Sequence, residues 1–146
     1  MTVSAAYLVQ SNKERDSLDW TPEFSRRGRG FTVYAALKHL GRSGVRDLVD
    51  RCCARARQMA DLLRPHRGVE ILNDVVLNQV LVRFHGSDDF TRAVSERVQQ
   101  DGTCWLGGTT WHNMAAMRIS VSNWSTTEKD IELSAQAILR AATIER

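Results

Sequence analysis

The 146-residue sequence lacks the features that mark membrane, secreted and disordered proteins. It has no run of about 18 apolar residues, the length that a membrane-spanning helix needs, so we predict no membrane span. Residues 1–16 lack the basic start and the apolar stretch of a signal peptide. With 42% hydrophobic and 25% charged residues, the composition is typical of a folded globular protein. We therefore expect one soluble domain with a sizeable core.

Cysteine is scarce, and its spacing fits neither a metal site nor a disulfide framework. The sequence contains Cys52, Cys53 and Cys104, an odd set without the paired spacing of zinc ligands. Cys52 and Cys53 are adjacent within a helical pattern, which suits core packing. These features predict a reduced, cytoplasmic protein.

Basic residues exceed acidic ones only slightly, by 20 to 17, which gives a net charge of +3. A nucleic-acid-binding surface needs basic residues gathered on one face. Only Arg26, Arg27 and Arg29 cluster closely, so we expect no nucleic-acid partner. An alternative function remains open at this point, a non-catalytic α+β binding or dimerisation module that places this cluster against an anionic partner.

Sequence motifs of common enzymes are also absent. The chain has no GxSxG, HExxH or Walker loop. Its four histidines are scattered, and each is explained more simply as a surface or core residue than as a catalytic base. The short motifs therefore identify no active site by themselves.

Hydrophobic periodicity predicts an arm over residues 1–30 and a domain over residues 31–146. The predicted helices cover 31–40 (stopped by Gly41), 44–64, 88–102 and a last helix that follows a capping box over 125–128. The predicted strands cover 69–73, 79–84, 103–106 and 116–122, with Gly107 and Gly108 in a loop before the last strand. This order predicts an α+β fold, with helices packed on a mainly antiparallel sheet.

Two side chains carry alternatives that the sequence leaves open. Arg118 lies in a predicted strand on the same face as Ser120 and Ser122. Its guanidinium could clamp a substrate carboxylate in bidentate fashion or form a structural ion pair. Tyr7 could be a packed aromatic at the base of the arm, or a phenol that a mobile segment delivers as a proton donor.

The order of several short motifs resembles the group II pyridoxal-phosphate-dependent decarboxylases, which include the aromatic amino acid, histidine and glutamate decarboxylases. The motifs are Tyr7-Leu8, the stretch from Trp20 to Arg27, a helix that ends in Leu40-Gly41, the stretch from Asn78 to Phe84, and the stretch from Met117 to Asn123. The resemblance covers essentially the whole chain, but only the C-terminal portion of such an enzyme.

The resemblance implies a fold, a chemistry and three site residues. The fold is the small C-terminal domain of a fold-type I enzyme that works as a homodimer on an amino acid substrate. Tyr7 matches the catalytic-loop tyrosine that reprotonates the substrate α-carbon in the neighbouring subunit. Phe24 matches a side chain that lines the partner's substrate pocket. Arg118 matches the arginine that holds a substrate carboxylate in glutamate decarboxylases.

One departure from the family limits what this chain can do alone. Pyridoxal phosphate needs a Schiff-base lysine, an acid beside the pyridine nitrogen and a phosphate cradle. The family carries that lysine in a His-Lys pair, whereas Lys13, Lys38 and Lys129 follow Asn, Leu and Glu. We therefore expect a C-terminal decarboxylase segment that is inactive without an upstream large domain or a second subunit. We also expect exposed apolar residues on the first predicted helix.

Overall fold

The computed structural model describes residues 27–143. The chain divides into two compact units, residues 1–41 and 42–146. The described part of the first unit is the beginning of helix α1 (Arg29–Leu63). Gly41 interrupts this helix with non-helical backbone angles, φ 60° and ψ −174°. The predicted break at Gly41 is therefore confirmed, because the left-handed region favours glycine.

The second unit continues α1 and adds a sheet and further helices. In chain order these are β1 (Val69–Ile71), β2 (Gln79–Phe84), α2 (Asp88–Asp101), β3 (Gly107–Trp111), β4 (Met114–Ser120) and α3 (Glu128–Thr143). The sheet has four strands in the order β1-β2-β4-β3, and all neighbouring strands are antiparallel. The predicted α+β class, with helices packed on an antiparallel sheet, is confirmed.

The core lies on one face of the sheet, between the strands and the helices. Alternate residues of the two central strands point into it, namely Val80, Val82, Phe84, Met117 and Ile119. The helices contribute Ala56, Met59, Ala60, Leu63, Val94, Val98, Ile131, Ala135 and Ile138. The intervening strand residues occupy the opposite face, which we call the outer face; they include Leu81, Gly107, Thr109, Trp111, Ala116, Arg118 and Ser120.

The hairpin of β3 and β4 differs from the prediction. The predicted strand over 103–106 is wrong, because the strand begins at Gly107 and contains both glycines of the predicted loop. The turn is His112-Asn113 instead, with φ of 48° and 61° at these two residues. Positive φ at both central residues matches the twist of a two-residue hairpin, and asparagine tolerates that region well.

The cap of helix α3 lies two residues later than predicted, at Thr127 instead of Ser125. Asp130 Oδ2 accepts the backbone N–H of Thr127 at 2.8 Å, and the Asp130 N–H donates to Thr127 Oγ1 at 3.3 Å. The reciprocal cap is therefore Thr127 with Asp130, rather than Ser125 with Glu128. Glu128 instead pairs with Arg55 of α1, at 2.8 Å.

The first part of α1 has an exposed apolar side, as expected. Phe31, Tyr34 and Leu37 are 78%, 61% and 53% exposed. Between residues 27 and 143, no helix is long and apolar enough to cross a membrane.

Candidate functional site

Arg118 lies near the middle of the outer face of the sheet. It pairs with Leu81 of β2 on one side and with Gly107 of β3 on the other. Its side chain is exposed, and no hydrogen bond or ion pair joins it to another residue between 27 and 143. Within that range the structural ion pair, one of the two alternatives, is not formed. Among residues 27–143, no side chain therefore neutralises the guanidinium.

Gly107 leaves open space beside this guanidinium. A Cβ atom built on Gly107 meets no other heavy atom of residues 27–143 within 4 Å, so close packing in that range does not require the glycine. Because it has no side chain, β3 places nothing next to Arg118 on the outer face. Gly107 thus widens the approach to Arg118 from the β3 side.

A second sheet arginine, Arg83 of β2, has a different environment. Its Nη1 donates to Asp88 Oδ1 at 2.5 Å and to the Ala115 carbonyl at 3.0 Å, and its side chain is only 17% exposed. The hydrogen bond from Arg83 is the main reason that the pKa of Asp88 lies below its ordinary value. Arg83 therefore joins β2, α2 and β4, and it is not available to a ligand.

Sequence reasoning did not identify the role of Arg83. The sequence pattern indicates Asp88 only as the first residue of the helix predicted over 88–102, although it lies five residues beyond Arg83. The link depends on how the connection after β2 turns back toward the sheet, and no local pattern indicates that.

A cleft of about 580 Å³ opens beside the end of β4. The segment 103–106 forms one wall, residues 119–126 form another, and the first half of α3 closes it; among the lining residues are Met59, Cys104, Trp105, Ser120, Asp130 and Ser134. Arg51 of α1 donates to the Trp124 carbonyl at 3.0 Å, which holds the wall formed by residues 119–126 in place.

The ionisable groups of this cleft do not form catalytic machinery. Burial raises the pKa of the Cys104 thiol, although a hydrogen bond with Ser134 opposes the shift. The thiol is therefore protonated at neutral pH and is a poor nucleophile. Hydrogen bonds from the Thr127 backbone and hydroxyl hold the pKa of Asp130 below its ordinary value, and they commit that carboxylate to the helix cap.

The other predicted site residues cannot be placed around Arg118. Tyr7 and Phe24 lie outside the described residues. His112, the first residue of the hairpin turn, is exposed and makes an edge contact with Trp111 at 4.7 Å between ring centroids. Within residues 27–143, no group of three or more His, Cys, Asp or Glu side chains could hold a metal ion.

Comparison with known families resolves what kind of protein carries this arginine. Residues 1–85, more than half of the chain, match the sequence model of the pyridoxal-dependent decarboxylase conserved domain. The chain belongs to this family. The resemblance inferred from the motifs is therefore confirmed, including the dependence of the family on pyridoxal phosphate.

Individual decarboxylases match nearly all of this chain with a fraction of their own length. An aromatic-L-amino-acid decarboxylase from Drosophila lebanonensis is 25% identical over 127 residues, which are 87% of this chain and 32% of that protein. Mouse histidine decarboxylase is 24% identical over 145 residues, which are 98% of this chain and 22% of that protein. The chain thus spans between about a fifth and a third of these relatives.

Solved structures show the same fold in this family. The structure of Oryza sativa TDC with PLP and tryptamine has a TM-score of 0.73 and 19% identity, and the likeness covers 88% of this chain and 29% of that one. At this level of identity the likeness shows the fold alone. The sheet with its helices is therefore the fold of one part of a decarboxylase.

The described residues do not fit a self-contained pyridoxal phosphate site in this decarboxylase family member. Lys38 and Lys129 are both exposed on helices, and neither lines the cleft beside β4. Lys13 lies outside the described residues. A pyridoxal phosphate site needs a Schiff-base lysine, an acid beside the pyridine nitrogen and a phosphate cradle, and residues 27–143 bring no such set together.

Proposed function

We propose that this chain is the C-terminal part of a pyridoxal-phosphate-dependent amino acid decarboxylase, a carbon–carbon lyase, and that it is inactive alone. The observation that carries the proposal is the family match over residues 1–85. The fold likeness over 88% of the chain supports it. Because the described residues do not form the cofactor site, that site is assigned to an upstream large domain or to a second subunit.

In this proposal Arg118 binds a carboxylate of the amino acid substrate. Its guanidinium is exposed, and no other residue between 27 and 143 neutralises it. A planar fork of N–H donors matches a carboxylate in bidentate fashion, which fixes the orientation of the substrate as well as its charge. The open space at Gly107 gives the carboxylate room beside the guanidinium.

The proposal assigns the arm over residues 1–30 to the catalytic loop and its connection, and residues 31–146 to the small domain. Tyr7 donates a proton to the substrate α-carbon after carbon dioxide leaves, and Phe24 lines the substrate pocket of the partner subunit. Both roles rest on the match of these positions to the family motifs, and they require a homodimer. The cysteines Cys52, Cys53 and Cys104 are free, which supports a cytoplasmic location.

The test combines this chain with the upstream large domain of a family member that contains the His-Lys pair, either co-expressed or fused. We expect borohydride to trap pyridoxal phosphate covalently on the pair. In a separate assay, the unreduced pair should release carbon dioxide from an amino acid. The substitution Arg118→Met should lower kcat/KM by about 100-fold. It removes the charged hydrogen-bond donor of the substrate carboxylate, an interaction worth roughly 2–3 kcal/mol. The control Arg57→Met removes an exposed arginine of α1 and should leave kcat/KM unchanged.

The outcomes separate the function from the role of Arg118. A soluble pair that binds no pyridoxal phosphate would contradict the proposed function. A pair that decarboxylates equally well with Met at position 118 would contradict the role of Arg118 and leave the function standing.

A further inference from the structure

The connection between α2 and β3 determines where strand β3 begins. It covers residues 102–106, which lie outside the ladder of the sheet. The Asp101 carboxylate accepts the backbone N–H of Thr103 at 3.2 Å, which fixes the start of the connection. Its other end, at Leu106, has to be fixed as well, because Gly107 follows directly in β3.

A hydrogen bond from α2 holds this second end. Gln99 Nε2 donates to the backbone carbonyl of Leu106 at 2.8 Å. Leu106 is only 3% exposed, so its carbonyl is shielded from water and needs a partner inside the protein. Gln99 is half-buried on α2, a helix that also packs against β4. The bond therefore ties the beginning of β3 to a helix that contacts the neighbouring strand.

Gly107 depends on its neighbours for its position. It is the first residue of β3, and β4 is the only strand beside β3 between residues 27 and 143. Glycine has no side chain to pack, and the space where a Cβ atom would lie is open within that range. The pairing with Arg118 and the attachment of Leu106 are therefore what hold Gly107 in place.

Loss of the bond from Gln99 would loosen the strand beside Arg118. Without a donor, the shielded carbonyl of Leu106 is unsatisfied, and the backbone lowers its free energy by turning that group toward water. This turn displaces Gly107, the next residue. A displacement of about 1 Å in a positioned group is enough to weaken the interaction with a substrate.

We propose that Gln99 is a positioning residue that acts through the Leu106 carbonyl. It holds Gly107 beside Arg118 and so keeps open the space in which the guanidinium receives a substrate carboxylate. This inference rests on the proposed function, in which Arg118 binds that carboxylate. In this role Gln99 contacts none of the reacting atoms.

Backbone NMR relaxation of the full chain tests the placement of Gly107 without cofactor or partner. The substitution Gln99→Met keeps the length of the side chain and removes the donor. We expect the order parameter of the Gly107 amide to fall from about 0.85 to about 0.6 or below. Gln100→Met is the matched control, because Gln100 is exposed on the same helix, and it should leave Gly107 rigid.

The order parameter separates positioning from stability. It is measured on the folded chain, so a lower free energy of unfolding does not by itself change it. Gln99→Glu, whose ionised carboxylate has no donor, should give the same fall at Gly107, and it replaces Gln99→Met if that variant does not fold.

A double-mutant cycle tests the link to Arg118 in the pair of this chain with the large domain. Gln99→Met should lower kcat/KM by about three- to tenfold, whereas Gln100→Met should leave it unchanged. In a chain that already carries Arg118→Met, adding Gln99→Met should cause no further loss, because Gln99 acts through a guanidinium that is gone.

The outcomes separate this proposal from the proposed function. A Gly107 amide that stays rigid in Gln99→Met, or that loosens equally in Gln100→Met, would overturn the proposal. So would losses of kcat/KM that multiply in the double variant. A pair that binds no pyridoxal phosphate would contradict the proposed function instead, and the relaxation of Gly107 would still decide whether Gln99 sets its position.

Discussion

Arg83 and Arg118, on neighbouring strands of one sheet, have opposite environments. Arg83 is largely buried and holds Asp88 and a backbone carbonyl, whereas Arg118 is exposed and has no partner between residues 27 and 143. An arginine with fixed partners contributes to stability, because removing it leaves polar groups unsatisfied. An arginine without partners contributes little to stability and is available for a ligand.

This difference predicts how each arginine responds to substitution. Arg83→Met should lower the free energy of unfolding by about 1–3 kcal/mol, because Asp88 and the Ala115 carbonyl lose a charged donor. Arg118→Met should change it by no more than about 0.5 kcal/mol, as is typical of exposed positions. Urea unfolding followed by circular dichroism measures both values. Equal destabilisation by the two substitutions would show that Arg118 has a structural partner after all.

At the scale of elements, the β3–β4 hairpin sets the position of Arg118. The two-residue turn fixes the register, which places Gly107 opposite Arg118 and brings Ala116 opposite Thr109. A turn of different length would shift this pairing and would change the residue that stands beside the guanidinium. The positive φ values of His112 and Asn113 are therefore important for the site as well as for the fold.

The turn can be tested with residues that tolerate positive φ to different degrees. Asn113→Val should lower the free energy of unfolding by about 1–2 kcal/mol, because a β-branched side chain is strained in the left-handed region. Asn113→Gly should be neutral or stabilising, since glycine adopts that region freely. Thr110→Val, in the strand of the same hairpin, is the control and should have little effect. A stable Asn113→Val variant would mean that the turn differs from His112-Asn113; thermal unfolding distinguishes these cases.

At the scale of the whole molecule, this chain has the fold of one part of a decarboxylase without a cofactor site among its described residues. The likeness to Oryza sativa TDC covers 88% of this chain but 29% of that protein. Lys38 and Lys129 are exposed on helices, and neither lines the cleft beside β4. Residues 27–143 therefore do not supply the cofactor-binding lysine by themselves.

The purified chain should consequently not retain pyridoxal phosphate in a specific way. After incubation with the cofactor, borohydride reduction and peptide mass spectrometry, we expect no stoichiometric adduct on Lys13, Lys38 or Lys129. A family member with its complete large domain serves as the positive control for trapping. A stoichiometric adduct on any one of the three lysines would show that this chain holds the cofactor by itself.

Prediction from the sequence succeeded where the signal is local. The strand over 79–84 has the bounds of β2, and the glycine break at position 41 appears in α1. The hairpin was misassigned because Gly107-Gly108 is a stronger loop signal than His112-Asn113. Two capping motifs overlap at the start of α3, Ser125 with Glu128 and Thr127 with Asp130. Only the second pair forms the reciprocal hydrogen bonds of a cap. The face of Arg118 was predictable from alternation, but its lack of a partner within residues 27–143 was not.

The sequence by itself determined the α+β class, the family and the strand position of Arg118, because hydrophobic periodicity and motif order are properties of the chain. The tertiary structure alone decided that Arg83, and not Arg118, forms the ion pair with Asp88. It also decided that β3 lies at an edge of the sheet and that Gly107 pairs with Arg118. These features depend on pairing between segments far apart in the chain, whose energies compete with each other and leave no trace in any single segment.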